Sequence, residues 1–354
     1  MRELEYRRGD LAADPTQRKM DLAAWAVENG LDDQADHLYR QILRSDPLHR
    51  KAHAELVRLA ASRPLPHESQ AYDAARTLLP PRFRDYETKR FIVLSDARGR
   101  WSRDQAEQLE RAVHQFRRFA KRLGLRPLPL RHKLVCVLFR RRDDYQQFAR
   151  THDSVTDPLI TGYYSPKNDR VVFYDPDSES VLRPAGPAVD MRGERALASS
   201  SETTLHEAIH QLLFHTCVQS PMVEYPLWIC EGLATAFETD APNKAFGPDH
   251  DYPPRRRHFR RALKRDELLE LRRLVRITRM PEADEQTVQV IYHQSYALVT
   301  WMFRFRKREL GDYLLAMLAE PSGRPSADRH LEIFEAAFGD AERLERAWLG
   351  HERR

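Results

Sequence analysis

The chain has 354 residues, of which 41% are hydrophobic and 31% charged, and its formal net charge is +5. This length predicts two domains or one large domain with an appendage. The balanced charges and the sizeable apolar fraction argue against a disordered chain, the 13 glycines exclude a collagen-like one, and no stretch of 18 apolar residues encodes a membrane span. Because the charge excess is small, we do not expect a nucleic-acid partner.

The first segment, residues 1–66, is predicted to be a helical module. Apolar residues at helical spacing indicate three short helices within residues 16–62. The order Ala35, Tyr39, Ile42, Pro47 resembles one tetratricopeptide repeat, and a single repeat cannot form a stable solenoid because each unit needs neighbours to bury its face. Two interpretations remain open: a surface that docks a protein partner, and an extension packed on the rest of the chain.

The second segment, residues 87–354, is predicted to be an α+β domain that follows a proline-containing linker at 67–86. Strand-like and helix-like segments are mixed in its first half, and only helices follow. The predicted strands are at 89–96 and 133–139, with two more in 162–175; the predicted helices are at 102–123, 143–150, 262–276, 288–307, 309–319, 327–337 and 340–350. Residues 176–198, rich in Pro, Gly, Ser and charge, predict a surface loop that would cover a cleft only if it folds back.

A catalytic metal motif stands in the middle of the chain, in the sequence His206-Glu207-Ala208-Ile209-His210. On a helix the two histidines are one turn apart on the same face, so both imidazoles can bind one Zn²⁺. Glu207 lies beside that face and can reach a water on the metal without being a ligand. The pattern alone also fits a buried helix with two hydrogen-bonded histidines.

The third ligand that a catalytic zinc needs is predicted 21 residues after His210. In the segment PLWICEGLATAFE, Pro226 stands where a helix begins, and Glu231 follows on that helix. A glutamate in so apolar a run requires an explanation, since an unpaired buried charge is costly. A metal provides one, and the alternative for Glu231 is an exposed helix position.

HEAIH followed by WICEGLATAFE resembles the gluzincin, or thermolysin-like, zinc metallopeptidases, and within them the peptidase-MA-like branch. The resemblance is strong over residues 203–238 and diffuse elsewhere in 85–350. It implies a zincin-like domain with Zn²⁺ held by His206, His210 and Glu231, and Glu207 as the general base. Many gluzincins place an Asp four residues after the glutamate ligand; here that position is Thr235, and Glu238 is the nearest replacement.

The resemblance implies hydrolysis of a peptide or protein substrate by a zinc-activated water, from which Glu207 takes the proton. Tyr292, His293 and Tyr296 are candidates to stabilise the oxyanion. The segment Y-x-Q-S-x-x-L-V resembles the downstream helix of peptidase-MA-like proteins, and this resemblance favours Tyr292, although core packing explains the same spacing. An extended substrate would pair with a strand at 170–174 or 161–165.

Two other classes of function stay open from the sequence. The zinc site could belong to a binding scaffold, or the activated water could attack a bond other than a peptide bond. The beginning MRELEYRRGD has no apolar stretch after its charges, which predicts a cytoplasmic protein as written, or a secreted or periplasmic one if the N-terminus is truncated. A run of basic residues between 255 and 265 is expected to form a solvated helix face.

Overall fold

The protein is described here from a computed structural model, over residues 15–158, 160–175, 200–282 and 285–353. It has the expected mixture of helices with one small mixed sheet and a helical N-terminal region, so the α+β class is confirmed. The loop predicted at 176–198 lies outside the described residues. Within the described chain, no helix combines the length and the apolar character needed to cross a membrane.

The N-terminal region forms three consecutive helices, as predicted. They are α1 (Pro15–Glu28), α2 (Asp32–Ser45) and α3 (Arg50–Ala61). Their apolar faces pack into a common cluster that also contains Leu128 from the following domain. Arg40 donates to the carbonyl of Pro129 at 2.8 Å, which fixes the same contact. This packing favours the interpretation as an extension on the rest of the chain, and a protein partner at these helices stays a prediction.

The sheet has five strands in the order β1-β2-β3-β5-β4. They are β1 (Arg84–Glu87), β2 (Phe91–Ser95), β3 (Leu134–Phe139), β4 (Gly162–Ser165) and β5 (Arg170–Tyr174). The central pairs β2–β3 and β3–β5 are parallel and both outer pairs are antiparallel. All residues of β2 and β3 are buried because helices cover both faces, and this is why their sequences read as continuous apolar runs.

Four helices cover the sheet. They are α4 (Gln70–Leu78), α5 (Gly99–Arg122), α6 (Arg142–Asp153) and α7 (Ser200–His215). Alternate strand residues point to opposite faces, so α5 and α7 share one core cluster with Val93 and Cys136, and α4 and α6 share another with Ile92 and Val135. The strand β4 is the last strand at one edge of the sheet and packs against α7.

The C-terminal part is helical, as predicted, with one error in position. Its helices are α8 (Leu227–Thr235), α9 (Pro253–Lys264), α10 (Leu271–Leu274), α11 (Glu285–Phe305), α12 (Lys307–Ala319), α13 (Ala327–Phe338) and α14 (Ala341–Glu352). The helix predicted at 262–276 is wrong. The chain there ends α9, turns at Asp266 with a φ of 56°, and forms only the short α10.

The stretch expected as a linker, 67–86, is more structured than its prolines suggest. It contains α4 and the start of β1, and Ala71 and Ala75 of α4 pack in the core on one face of the sheet. The prolines lie outside α4: Pro66 precedes the helix, and Pro80 and Pro81 follow it. The division into domains stays a prediction.

Candidate metal centre

The helix α7 is a core helix whose apolar residues are buried and whose two motif histidines are partly exposed. Leu205, Ala208 and Ile209 are fully buried, whereas His206 and His210 are only partly buried. The apolar residues fix the rotation of α7 about its axis because they fill the core below the sheet. The same rotation turns the two histidines toward one point, and their Nε2 atoms lie 3.2 Å apart.

Glu231 reaches the same point from α8. Pro226 is the N-cap of this helix, as the sequence suggests. Glu231 Oε2 lies 3.2 Å from His206 Nε2 and 3.6 Å from His210 Nε2. Gly232 permits a close approach of α8 to α11: a Cβ at Gly232 would come within 2.8 Å of the Ser295 carbonyl oxygen. Glu231 is therefore positioned by packing between α8 and α11.

The donor set and its spacing fit a tetrahedral zinc ion. Ligands about 2.0–2.1 Å from a tetrahedral ion are about 3.3 Å from one another. The three edges of the triangle formed by His206 Nε2, His210 Nε2 and Glu231 Oε2 measure 3.2, 3.2 and 3.6 Å. The three side chains are 12–15% exposed, so the fourth coordination position of a bound ion can face solvent. These residues could hold Zn²⁺ and leave a position for a substrate.

The charges of the cluster follow from its burial. Burial opposes the charged form of His206, but the carboxylates of Glu231 and Glu238 outweigh it and raise the pKa of this imidazole to about 10. Burial also opposes ionisation of Glu231, yet the two histidines hold the pKa of its carboxyl well below the usual value. Without a metal, a histidine proton thus compensates the buried carboxylate, and a cation would take the place of that proton.

Glu238, and not Thr235, is the residue that contacts the second ring nitrogen of His206. Its Oε1 lies 2.9 Å from His206 Nδ1, and because an ionised carboxylate can only accept, this histidine donates from Nδ1. In the neutral form of His206, which is the form that binds a metal, the lone pair of Nε2 then faces the cluster. Thr235 instead donates to the backbone carbonyl of Glu231 at 2.6 Å. Glu238 is in turn held by Arg255, whose Nε and Nη2 donate to its two oxygens at 2.7 and 2.8 Å.

Glu207 faces the edge of the sheet rather than the ligand triangle. The backbone N–H of Tyr164, in the edge strand β4, donates to Glu207 Oε2 at 2.8 Å. Burial raises the pKa of the Glu207 carboxyl, and the two neighbouring histidines act in the opposite direction. Glu207 is thus an acidic side chain beside the histidines that is directed toward the edge strand β4.

Of the three oxyanion candidates, the structure brings only Tyr292 to the cluster in a half-buried position. Its ring centroid lies 6.5 Å from that of His206, and the guanidinium of Arg255 lies 6.0 Å above the Tyr292 ring. Tyr296 is fully buried and accepts a hydrogen bond from the backbone N–H of Tyr252 at 2.8 Å. His293 is nearly buried and stacks on His258.

Two contributors to the site, Arg255 and Tyr164, were not predicted from the sequence. Arg255 and Arg256 belong to the basic run that was expected to be solvated, and that expectation is wrong for them. Arg256 is 8% exposed and pairs with Glu352 at 2.7 Å. The other members of the run, Arg257, Arg260, Arg261, Lys264 and Arg265, are exposed. Nothing in the sequence distinguishes Arg255 from these neighbours, and Tyr164 acts through its backbone.

A protein-family model matches residues 200–322. The matched family is described as "Protein of unknown function (DUF1570)". The matched region contains α7, α8 and α11, and hence both histidines, Glu231, Glu238 and Arg255. A search of curated proteins finds no match.

Proposed function

We propose that the protein is a zinc-dependent hydrolase, most specifically a metallopeptidase with a zincin-like catalytic domain. The observation that carries the proposal is the triangle of donor atoms from His206, His210 and Glu231, whose edges of 3.2–3.6 Å match one tetrahedral ion. A further carboxylate, Glu207, lies beside the triangle without belonging to it. A purely structural zinc site has no use for such a group.

Zinc, when bound, would supply a Lewis acid that acidifies water and polarises a carbonyl oxygen. The chain's own residues would do the rest. The Glu207 carboxylate takes the proton from the attacking water and delivers it to the leaving amine. Glu238 and Arg255 hold the imidazole of His206 in the orientation that binding requires. The hydroxyl of Tyr292 donates to the oxygen on which negative charge develops.

An extended substrate would bind along β4. Of the two strands that the sequence offered, β5 pairs on both sides with other strands, whereas β4 is at the edge. The N–H of Tyr164 points from this edge to Glu207, so the edge faces the ligand cluster. A peptide added to β4 would place a carbonyl group next to that carboxylate, and backbone pairing would give little sequence preference.

The experiment compares the full chain with Glu207→Gln on a broad peptide library read by mass spectrometry, with the metal content of each sample measured. We expect cleavage to fall about 10²–10⁴-fold in Glu207→Gln, because the general base is lost, with zinc content unchanged. Glu68→Gln, at an exposed position before α4, is the matched control and should cleave as the wild type does.

Three outcomes would contradict the proposal in different parts. Undiminished cleavage by Glu207→Gln would remove Glu207 as the base. Intact peptides with zinc-loaded wild-type protein would favour a binding scaffold if small ester and amide substrates also survive, and a hydrolase of another bond if one of them is cleaved.

Tyr292→Phe with Tyr296→Phe as control tests the oxyanion donor: only Tyr292→Phe should lower kcat with KM little changed.

A further inference from the structure

A second group of metal-ligating side chains lies at the far end of α7, and no part of the proposed hydrolytic site uses it. It consists of His132, Asp169 and His215, and the donor atoms of all three lie within 4.8 Å of one another. His215 is the last residue of α7, five positions beyond His210, which is about 7.5 Å along the helix axis. The group is therefore distinct from the triangle of His206, His210 and Glu231.

The distances within the group centre on the carboxylate of Asp169. His215 Nε2 lies 2.5 Å from Asp169 Oδ1, and His132 Nε2 lies 3.9 Å from Asp169 Oδ2. The two imidazole rings meet edge to face, with centroids 5.4 Å apart. Both histidines thus present Nε2 to the same carboxylate from different directions, which is the arrangement of a site with two imidazoles and one carboxylate.

The second nitrogen of His132 supports a ligand role. His132 Nδ1 lies 2.9 Å from the backbone carbonyl of Lys133, and since a carbonyl only accepts, Nδ1 carries the proton. In neutral His132, Nε2 is then left with its lone pair, turned toward Asp169. Histidines that bind metals commonly donate their other ring N–H to a backbone carbonyl or a carboxylate in this way.

The group is also accessible, as a site that exchanges an ion must be. The side chains of His132, Asp169 and His215 are 24%, 26% and 17% exposed. They are held in place by packing, yet they leave one coordination position of a bound ion open to solvent. A small rotation of the Asp169 carboxylate would lengthen its short contact with His215 and shorten the one with His132, toward the separation of about 3.3 Å that a tetrahedral ion needs.

We propose that His132, Asp169 and His215 form a second binding site for a divalent transition-metal ion such as Zn²⁺. Binding replaces the hydrogen bond between His215 and Asp169 by two bonds to the ion. The Nε2 proton of His215 moves to its Nδ1 when the imidazole is neutral, and leaves to solvent when both ring nitrogens carry protons. Two imidazoles and one carboxylate are donors that suit zinc, copper and nickel better than calcium or magnesium.

The three ligands would join three segments of the domain. His132 precedes β3, Asp169 lies in the turn between β4 and β5, and His215 ends α7. Tyr164 of β4 also donates from its hydroxyl to Asp169 Oδ1 at 3.3 Å, while its backbone N–H donates to Glu207. An ion at this site would therefore fasten the edge strand to α7 on the side away from the first cluster.

The test isolates the second site by removing the first, so it does not depend on the hydrolase proposal. The background is the full chain with His210→Ala and Glu231→Ala. Zinc binding is measured by calorimetry and by metal analysis after dialysis, and Co²⁺ absorption reports the ligand geometry. We expect this background to bind one ion per chain. Adding His132→Ala or Asp169→Asn should abolish that binding, whereas His37→Ala, at an exposed helix position, should not.

Asp169→Asn keeps an oxygen that can accept from His215. It therefore preserves the hydrogen bond between His215 and residue 169 while removing the charged ligand. Circular dichroism identifies any variant that fails to fold, and the remaining variants then decide. Binding of one ion that disappears in both His132→Ala and Asp169→Asn supports the proposal. A background that binds no zinc, or one whose binding survives these substitutions, would overturn it.

Discussion

Glu238 would support the proposed metal site without touching the ion. Its Oε1 contacts His206 Nδ1 at 2.9 Å and also accepts from Arg255. Burial opposes ionisation of Glu238, but Arg255 and His206 outweigh it and hold the pKa of its carboxyl at about 2. The carboxylate is therefore charged across the physiological range and polarises the imidazole that would bind zinc.

We predict that Glu238→Ala weakens zinc affinity about 10–100-fold, because His206 loses the partner that fixes its tautomer and ring orientation. Affinity is measured by competition with a chelator of known strength. Glu332→Ala, at a side chain 65% exposed on α13, is the control and should leave affinity unchanged. Equal affinities for the wild type and Glu238→Ala would remove Glu238 from the site.

The three residues of the donor triangle were named from the sequence, the two histidines because helical spacing fixes which side chains share a face. His206 and His210 share a helix face by their spacing alone. Glu238 could be reached only by elimination, once Thr235 stood in the expected position. Arg255 could not be predicted, since its pairing depends on how α9 packs and not on any spacing within its basic run. Tyr164 contributes a backbone N–H, which leaves no trace in side-chain patterns.

Gly162 allows the edge strand β4 to lie close to α7 because it has no side chain. A Cβ at Gly162 would lie 2.5 Å from Thr203 Cγ2 of α7 and 3.0 Å from Phe173 Cβ of β5. Both separations are shorter than ordinary van der Waals contact. The absence of a side chain at Gly162 therefore allows β4 to approach closely enough for the Tyr164 N–H to reach Glu207.

We predict that Gly162→Ala lowers the free energy of unfolding by about 1–3 kcal/mol through overpacking, and lowers hydrolytic activity by displacing β4. Urea denaturation measures the first effect and peptide cleavage the second. Gly350→Ala is the matched control: its Cβ would meet no atom within 4 Å on α14, and alanine should stabilise that helix by about 0.5–1 kcal/mol. Equal stability of Gly162→Ala and the wild type would contradict the account.

The hairpin β4–β5 is fastened to α6 by a buried ion pair. Asp153 and Arg170 are 0% and 1% exposed and lie 2.8 Å apart, and Tyr163 donates to the same carboxylate at 2.7 Å. Burial opposes ionisation of Asp153, but Arg170 and Tyr163 outweigh it and lower the pKa of its carboxyl below the usual value. The folded pKa is thus below the unfolded one, near 3.9.

The sign of this shift fixes a pH dependence. The stability that Asp153 contributes is present above about pH 4 and is lost as the pH falls through the folded pKa. We predict that Asp153→Asn destabilises the protein at neutral pH by about 3–5 kcal/mol, because Arg170 is left buried without its partner. Its unfolding free energy should also decline less steeply in acid than that of the wild type. Parallel acid curves for the two proteins would contradict this assignment.

Across the whole molecule, the N-terminal helices are part of the packed structure. Leu128, in the connection between α5 and β3, is 8% exposed within their apolar cluster. His53 of α3 lies 3.3 Å from the carbonyl of Pro127 in the same connection. The sequence predicted these helices but not their contact, because a contact between distant segments is not encoded in local periodicity.

We predict that Leu128→Asp releases these helices, since a charge placed in an apolar cluster costs several kcal/mol. Limited proteolysis should then cut between α3 and α4. Zinc binding at His206, His210 and Glu231 should be retained, because these three residues lie in α7 and α8. Leu48→Asp, at a residue 52% exposed, is the control and should be as resistant to limited proteolysis as the wild type. Identical cleavage patterns for Leu128→Asp and the wild type would contradict the docking.

The proposed zinc site requires that α7 and α8 converge so that two imidazoles and one carboxylate bind the same ion. The most direct measurement is anomalous diffraction at the zinc edge from crystals grown with Zn²⁺. We predict a peak about 2.0–2.2 Å from His206 Nε2, His210 Nε2 and a carboxylate oxygen of Glu231. A zinc-soaked crystal with no peak among these atoms, or with Glu231 turned away from both histidines, would contradict the central claim.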